Sequence, residues 1–264
     1  MHLSERQTEI LQRARQAGRV EVESLANAFE VTTQTIRRDL NELSQIGLLA
    51  RVHGGAVVST RVANVAYAER RSVAAPEKQA IGAATAAMIP DGCSVILNIG
   101  TTTEEVARAL VAKNDLVVIT NNLNVVAILS GTPRKEIILT GGVVRQSDGA
   151  IVGDEAVEFI RRFRADFAII GCSGIDEDGA VMDFDLREVA VSRAIVENAR
   201  RTILVCDRLK FERTAPVRIC SVADIHAVVT DAPPPRGFAQ ACARAGVTVE
   251  IALPPEGASG TGSG

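Results

Sequence analysis

Two patterns of apolar and polar positions divide the chain near residue 60. Before that point, apolar residues recur every three or four positions, which is the spacing of amphipathic helices. From residue 78 to residue 253, short runs rich in Val and Ile alternate with such helical segments. This alternation is typical of a mainly parallel sheet covered by helices. We therefore predict an N-terminal domain over 1–58, a linker over 59–76, an α/β domain over 77–253 and a flexible tail over 254–264.

The spacing also predicts individual elements. The N-terminal domain is expected to contain helices over 5–16, 22–29 and 33–46, then two short strands over 49–58 around Gly54 and Gly55. A short turn between the second and third helices, followed by a hairpin, indicates a winged helix-turn-helix. The α/β domain is expected to contain strands over 94–99, 116–120, 136–140, 167–171, 202–206, 227–230 and 247–251, and helices over 103–111, 122–129, 154–161, 186–197 and 238–245.

The polar face of the third helix carries groups that can bind DNA. Its apolar stripe consists of Ile36, Leu40 and Leu43, and the opposite side holds arginine and amide side chains suited to base edges and phosphates. Asp39 and Glu42 reduce the positive charge of this helix, and an ordinary solvated helix is the alternative. Candidate DNA contacts are Thr33, Gln34, Thr35, Arg37 and Arg38 on the helix, with Arg51 and His53 on the hairpin. For His53, a surface position without any contact fits the pattern equally well.

Composition limits the other possibilities. With 47% hydrophobic residues the chain can bury a core, while a net charge of −3 means that DNA binding requires a local basic surface. No apolar run reaches the ~18 residues of a membrane span, and the first residues lack a signal-peptide pattern, so a cytoplasmic protein without membrane contact is expected. Five cysteines without a Cys-x-x-Cys pair and three scattered histidines indicate neither disulfides nor zinc, and no cofactor is expected.

Polar turns follow successive predicted strands of the α/β domain. Glycine and threonine before a helix are typical of a phosphate site, because free N–H groups and the helix dipole favour an anion, although a capped helix start is the alternative. The carboxyl ends of parallel strands lie at one edge of the sheet, so these turns are expected to form one pocket. We predict that phosphate binds at Gly100, Thr101, Thr102 and Asn121, and that Gly141, Gly142, Gly174 and Asp176 also line this pocket.

Charged residues lie near the same predicted edge. Asp183, Asp185 and Glu188 could accept hydrogen bonds from polyol hydroxyls, and Lys210, near Asp207, could neutralise a phosphate. An acid-rich helix start and a solvated loop lysine are the alternatives. Cys172 lacks a nearby histidine in the sequence and is interpreted as a small core residue.

Two segments of the N-terminal domain resemble the signature of the DeoR family of bacterial transcription regulators. They are TIRRDLNEL at 35–43 and RVHGGA at 51–56. The resemblance implies a winged-helix DNA reader fused to a sensor for a phosphorylated sugar or polyol, and it favours Asp207 and Lys210 as ligand contacts. Further segments at 99–102, 120–125, 171–176, 183–185, 193–198 and 230–235 resemble family members that respond to sn-glycerol 3-phosphate. This implies a repressor of glycerol metabolism genes that leaves operator DNA when the effector binds.

The α/β domain also resembles the sugar-phosphate isomerase fold of ribose-5-phosphate isomerase. The segment GIDE at 174–177 is similar to its acidic motif, and Glu188 is similar to its acid/base carboxylate. The segment MDFD at 182–185 stands where the isomerase has a lysine and glycine, so nothing there stabilises an enediolate. We expect binding without catalysis. A repressor that answers to another phosphorylated sugar, a sugar-phosphate enzyme, and a metabolite-binding protein whose helices contact proteins remain alternatives.

A single winged helix makes few contacts with DNA. Linked copies that read paired half-sites gain affinity from two contacts at once. We therefore expect a homo-oligomer, with operator DNA and a small phosphorylated effector as its other partners.

Overall fold

The computed structural model describes residues 3–17, 19–45, 49–52, 54–58 and 67–253. The chain forms two compact units that divide between Val73 and Ala74. Of the predicted linker, residues 59–66 lie outside the described residues, as does the predicted tail. The rest of the predicted linker contains a short helix over 67–72 and the start of another at Ala75, and the predicted domain boundaries remain a prediction.

The first unit contains the predicted helices and hairpin. Its elements are α1 (Glu5–Ala17), β1 (Arg19–Glu21), α2 (Val22–Ala28), α3 (Thr33–Gln45), β2 (Leu49–Val52), β3 (Gly55–Val58) and α4 (Tyr67–Ser72). The apolar stripe of α3 (Ile36, Leu40 and Leu43) is fully buried and packs with residues of α1 and α2, including Ile10 and Leu25. The predicted apolar face of α3 is therefore the face that holds the unit together.

A strand that the sequence pattern did not predict, β1, joins the hairpin. It pairs antiparallel with β3, which gives a sheet in the order β1-β3-β2. At Gly55 a Cβ atom would lie 2.0 Å from the carbonyl oxygen of Val20, so only glycine allows the two backbones to approach this closely. This contact attaches the hairpin to the segment that precedes α2.

The second unit is an α/β domain. Its helices are α5 (Ala75–Ala87), α6 (Thr101–Ala109), α7 (Leu123–Leu129), α8 (Asp154–Ile160), α9 (Leu186–Glu197) and α10 (Arg236–Ala245). Its strands are β4 (Ser94–Leu97), β5 (Leu116–Thr120), β6 (Lys135–Leu139), β7 (Val144–Arg145), β8 (Ala150–Ile151), β9 (Ala165–Ile170), β10 (Gly174–Ile175), β11 (Ala180–Asp183), β12 (Ala199–Val205), β13 (Val217–Ser221), β14 (Ala227–Thr230) and β15 (Thr248–Ile251). All predicted strands and helices of this domain are present, with ends displaced by up to three residues.

The main sheet of this unit is parallel throughout. Within the described residues it has seven strands in the order β15-β14-β12-β9-β4-β5-β6. Val95 and Leu97 point into the core beneath α5, α6 and α7, whereas Ile96 points into the core beneath α8, α9 and α10. Because helices cover both faces, the strands are apolar on both sides, as the sequence pattern predicted.

The strand order reverses at the centre of the sheet. From β4 the chain adds β5 and β6 on one side, then returns to β9 on the other side and continues to β15. Such a reversal opens a crevice at the carboxyl ends of the two central strands, where open α/β sheets bind their ligands. The ends of β4 and β9, at Asn98 and Gly171, are therefore the expected site. Two smaller antiparallel sheets, β7-β8 and β10-β11-β13, lie outside the main one.

Candidate functional site

The exposed side of α3 carries the residues predicted to bind DNA. Thr33, Gln34, Arg37 and Arg38 are exposed, and Thr35 is half-buried. The hydroxyl of Thr32 accepts a hydrogen bond from the backbone N–H of Thr35 (3.2 Å) and caps the helix, as is usual for threonine at this position. The backbone of Arg51 lies in β2, whereas its side chain and the whole of His53 lie outside the described residues.

The acidic residues of α3 are neutralised within the unit. Arg6 of α1 binds Asp39 through two hydrogen bonds, at 2.6 and 3.2 Å, and the Asp39 side chain is only 6% exposed. Arg38 Nε donates to Glu42 Oε1 (3.0 Å), and Gln7 Nε2 donates to Glu42 Oε2 (2.6 Å). Asp39 is therefore balanced by a cation outside α3, whereas Glu42 takes up part of the charge of Arg38, a predicted DNA contact.

Arg37 differs from its neighbours. It is exposed and makes no ion pair with any residue in the described part of the chain. Together with Gln34 it lines a groove between the first turn of α1 and the exposed face of α3. That turn is fixed by a capping box, in which Ser4 and Gln7 each accept a hydrogen bond from the backbone N–H of the other. The groove is thus bordered by the Arg37 guanidinium, which pairs with no carboxylate among the described residues.

In the second unit, the end of β4 leads directly into α6. Gly100 has φ 140°, and α6 begins at Thr101, two residues earlier than the pattern predicted. No side chain caps this helix, because its N-cap residue is Gly100, and the Thr103 hydroxyl donates to the carbonyl oxygens of Asn98 and Gly100, both at 2.8 Å. The first helical N–H groups, including those of Thr101 and Thr102, have no partner within the helix. They can bind an anion.

Asn121, at the end of β5, is fully buried. Its Nδ2 donates to the carbonyl oxygen of Ile151 (3.0 Å), which fixes the orientation of the amide, while its Oδ1 has no hydrogen-bond partner among the described residues. The same holds for the buried Thr140 hydroxyl at the end of the neighbouring strand β6. Because a carbonyl oxygen only accepts hydrogen bonds, Asn121 Oδ1 suits a ligand hydroxyl better than a phosphate oxygen.

A buried carboxylate connects the segment that follows β4 with the segment that follows β5. Glu104, in the first turn of α6, accepts hydrogen bonds from Asn122 Nδ2 (3.3 Å) and Asn124 Nδ2 (3.0 Å) at the start of α7. Asn122 in turn caps α7 by accepting from the N–H of Asn124 (2.9 Å). The start of α6 is thereby fixed beside Asn121.

Arg145, which the sequence pattern did not single out, organises the acidic residues of the site. It lies in β7 and donates to Asp185 (3.1 Å), to Glu188 (2.8 Å) and to both carboxylate oxygens of Asp148 (2.5 and 2.8 Å). Asp185 also caps α9 and binds Arg187, and the hydrogen bonds from Arg187 are the main reason that the pKa of Asp185 falls to about 2. Two of the predicted effector ligands thus already have a cationic partner.

Other predicted ligands cluster near the end of β9. Cys172 lies within electrostatic reach of Lys210, Asp183 and Asp207, and burial raises the pKa of its thiol, which agrees with an unreactive core cysteine. Asp183 Oδ1 accepts from the Ser173 hydroxyl (3.0 Å), and Asp207 caps the following turn by accepting from the N–H of Leu209 (3.1 Å). The structure thus brings Asp183, Asp207 and Lys210 together beside the central crevice.

The other four predicted ligands lie after β6 and in or beside β10, and Gly174 packs against the end of the turn that carries Lys210. Gly141 and Gly142 are exposed after β6, on the outer side of the sheet. Gly174 pairs with Met182, and Asp176 lies in the turn between β10 and β11, where its N–H donates to Ala180. In the described residues, no hydrogen bond or ion pair joins these four to the other predicted ligands, and their role in binding stays a prediction.

Comparisons with known proteins agree with this division of the chain. Residues 6–62 match the DeoR-like helix-turn-helix domain, and residues 73–232 match the DeoR C terminal sensor domain. The chain is 44% identical to the glycerol-3-phosphate regulon repressor of Escherichia coli K12, over 89% of this chain and 93% of the relative. It is 40% identical to the HTH-type transcriptional repressor CsqR of the same bacterium, over 96% of each. These relatives are repressors, in agreement with a regulator rather than an enzyme.

Solved structures that match include ribose 5-phosphate isomerase from Plasmodium falciparum, with 12% identity and a TM-score of 0.37 over 52% of each chain. Separately, the described part of the chain contains no helix long and apolar enough to cross a membrane.

Proposed function

Because the chain belongs to the DeoR family of DNA-binding transcriptional repressors, we propose that it represses genes of glycerol metabolism and leaves its operator when sn-glycerol 3-phosphate binds. Similarity to the glycerol-3-phosphate regulon repressors of Escherichia coli K12 and Haemophilus influenzae supports this choice of effector. Such a repressor acts in the cytoplasm, where its operator DNA is.

The uncapped start of α6 beside the buried Asn121 Oδ1 is the observation that carries the proposal. The N–H groups of Thr101 and Thr102, with the Nζ of Lys210 as counter-charge, bind the phosphate. Asn121 Oδ1 accepts a hydrogen bond from a hydroxyl of the glycerol part. A small molecule with a phosphate at one end and hydroxyls at the other matches both chemistries.

DNA binding is assigned to α3. Gln34, Arg37 and Arg38 face the major groove, where arginine and amide side chains recognise base edges and phosphates. Two copies of the chain read paired half-sites, since a dimer doubles the small contact area of one winged helix.

The test is fluorescence anisotropy on a labelled DNA fragment from upstream of the chain's own gene, at one fixed salt concentration. We expect tighter binding than to a shuffled fragment, and release by glycerol 3-phosphate but not by glycerol. Arg37→Met removes operator binding and leaves effector affinity unchanged, whereas Lys210→Met does the reverse. Arg161→Met, at an exposed pair with Glu158 on α8, is the matched control and changes neither.

Two outcomes contradict the proposal. If the protein binds operator and shuffled DNA equally well, it does not act as a repressor at this operator. Release by a different phosphorylated sugar keeps the repressor and replaces the effector. Should either substitution impair both activities in a folded protein, the assignment of two separate sites is wrong.

A further inference from the structure

The turn that carries Lys210 is held in place by a residue that the proposed function does not use. After β12, residues Arg208–Glu212 form one short 3₁₀ turn. Arg208, the first residue of this turn, binds Asp231 at the end of β14. The Arg208 N–H donates to Asp231 Oδ1 (2.6 Å), and Arg208 Nη1 donates to Asp231 Oδ2 (3.1 Å). The Asp231 side chain is 1% exposed, so this attachment point is fixed in the core.

Arg208 has a third contact, which is incomplete. Its Nη2 lies 3.9 Å from Glu77 Oε1, beyond hydrogen-bond distance. The other oxygen of this carboxylate, Glu77 Oε2, is buried and has no hydrogen-bond partner within the described residues. A buried carboxylate oxygen without a donor is unfavourable, so this carboxylate gains from any further partner. A movement of about 1 Å would bring Arg208 Nη2 within hydrogen-bond distance of Glu77 Oε1.

Glu77 lies where the two units divide along the chain. It belongs to the first turn of α5, directly after the division between Val73 and Ala74. Ala74 itself has φ 53°, a left-handed conformation that is strained for alanine. The start of α5 is therefore held in a conformation that the local sequence does not favour.

We propose that Arg208 is a positioning residue that couples effector binding at Lys210 to the start of α5. Phosphate on Lys210 tightens the 208–212 turn on its fixed attachment at Asp231, and the first turn of α5 moves until Glu77 completes its pair with Arg208. Arginine suits this role because its planar fork places Nη1 on Asp231 and Nη2 toward Glu77, two positions that the single nitrogen of a lysine cannot occupy together. This inference rests on the proposed function, since it takes glycerol 3-phosphate as the effector.

Glu77→Gln is the sharpest test, because it removes the charge at the α5 end and leaves the Arg208–Asp231 attachment intact. In the full-length protein, effector affinity is measured by titration calorimetry, and operator affinity by anisotropy with and without glycerol 3-phosphate. The ratio of the two operator affinities is the coupling. We expect the variant to bind effector within about twofold of the wild type, with a coupling ratio roughly fivefold smaller. The loss of one partly exposed ion pair, here between Arg208 and Glu77, is expected to change the coupling ratio by about this factor.

Two further variants support the interpretation. Arg208→Lys is expected to lower the ratio by a similar factor, and the double variant is expected to lower it no further, because both changes interrupt the same contact. Glu158→Gln, which removes a carboxylate from the exposed pair with Arg161, serves as the control and keeps the wild-type ratio. Equal urea midpoints of the variants exclude a general loss of stability as the cause.

The possible failures are distinguishable. If glycerol 3-phosphate releases the wild type and Glu77→Gln equally well, the coupling role is wrong and the proposed function stands. If Glu77→Gln weakens effector binding as much as it weakens release, Glu77 belongs to the binding site and the coupling role is again wrong. If the wild type binds glycerol 3-phosphate and stays on its operator, both the proposed function and this inference fail.

Discussion

Replacing Arg145 by methionine is the strongest test of the site's electrostatics. Methionine keeps much of the aliphatic length of arginine and removes the charge that binds Asp148, Asp185 and Glu188. Those carboxylate side chains are 8%, 22% and 11% exposed, so water replaces the lost partner poorly. Arg187, which also pairs with Asp185, stays next to one of the three.

The expected cost follows from these contacts. A hydrogen bond between charged groups contributes about 1.5–3 kcal/mol, and breaking a buried ion pair from one side costs about 3–5 kcal/mol. The contributions are not additive, and the Arg145 side chain is 20% exposed, so we expect a loss of about 3 kcal/mol at pH 7. Arg145 is one of the cations that lower the pKa of Asp185, so this pKa rises in the variant. The loss is therefore smaller at pH 3 than at pH 7.

Urea denaturation followed by circular dichroism measures this change. Arg161→Met is the matched control, because Arg161 and Glu158 are 54% and 64% exposed, and we expect a loss below about 0.5 kcal/mol. A loss for Arg145→Met no larger than the control would show that the Arg145 contacts do not stabilise the fold. A loss that is equal at pH 3 and pH 7 would refute the argument that Arg145 lowers the pKa of Asp185.

Three further predictions concern single features of the fold. Leu40→Ala leaves a cavity in the fully buried core of the first unit, and we expect a loss of about 2–5 kcal/mol in thermal or urea unfolding. Gly55→Ala forces its Cβ against Val20 O, so we expect operator affinity to fall with the β1–β3 pairing, and hydrogen exchange of the strand amides reports that pairing. Asp185 has a folded pKa of about 2 against an ordinary 3.8, so it contributes about 2 kcal/mol above pH 4 that disappears as the pH falls through 2. Urea midpoints of the wild type and Asp185→Asn between pH 6 and pH 2 should converge as the pH falls.

The strands and helices of the α/β domain are predictable because local signals and burial agree there. The predicted bounds of α9 and β14 coincide with the observed ones, and Asp185 supplies the cap that starts α9. Where local signals were weak or misread, prediction failed. The predicted linker ends at Pro76, but this proline lies at the second position of α5, where it fits because the missing N–H has no helical partner anyway. The three residues of β1 are too few to show an alternating pattern.

The candidate site shows the same limit more clearly. Gly100, Thr101 and Asn121 could be singled out because each follows a strand at an edge that parallel topology dictates. Arg145 could not, since its partners Asp185 and Glu188 come about 40 residues later and only the folded chain brings them together. A partner that distant in sequence leaves no local pattern.

The parallel sheet also determines the order in which the protein matures. The central strand β4 needs β9, which is synthesised about 70 residues later, several seconds at ~5–20 residues per second. The helices and hairpin of the first unit pack against one another within the first ~60 residues, and contacts between residues so close in sequence form fast. A nascent chain therefore completes its DNA-reading unit before its sensor has a central sheet. During that interval the nascent chain has a folded DNA-binding unit but no folded sensor domain to which an effector could bind.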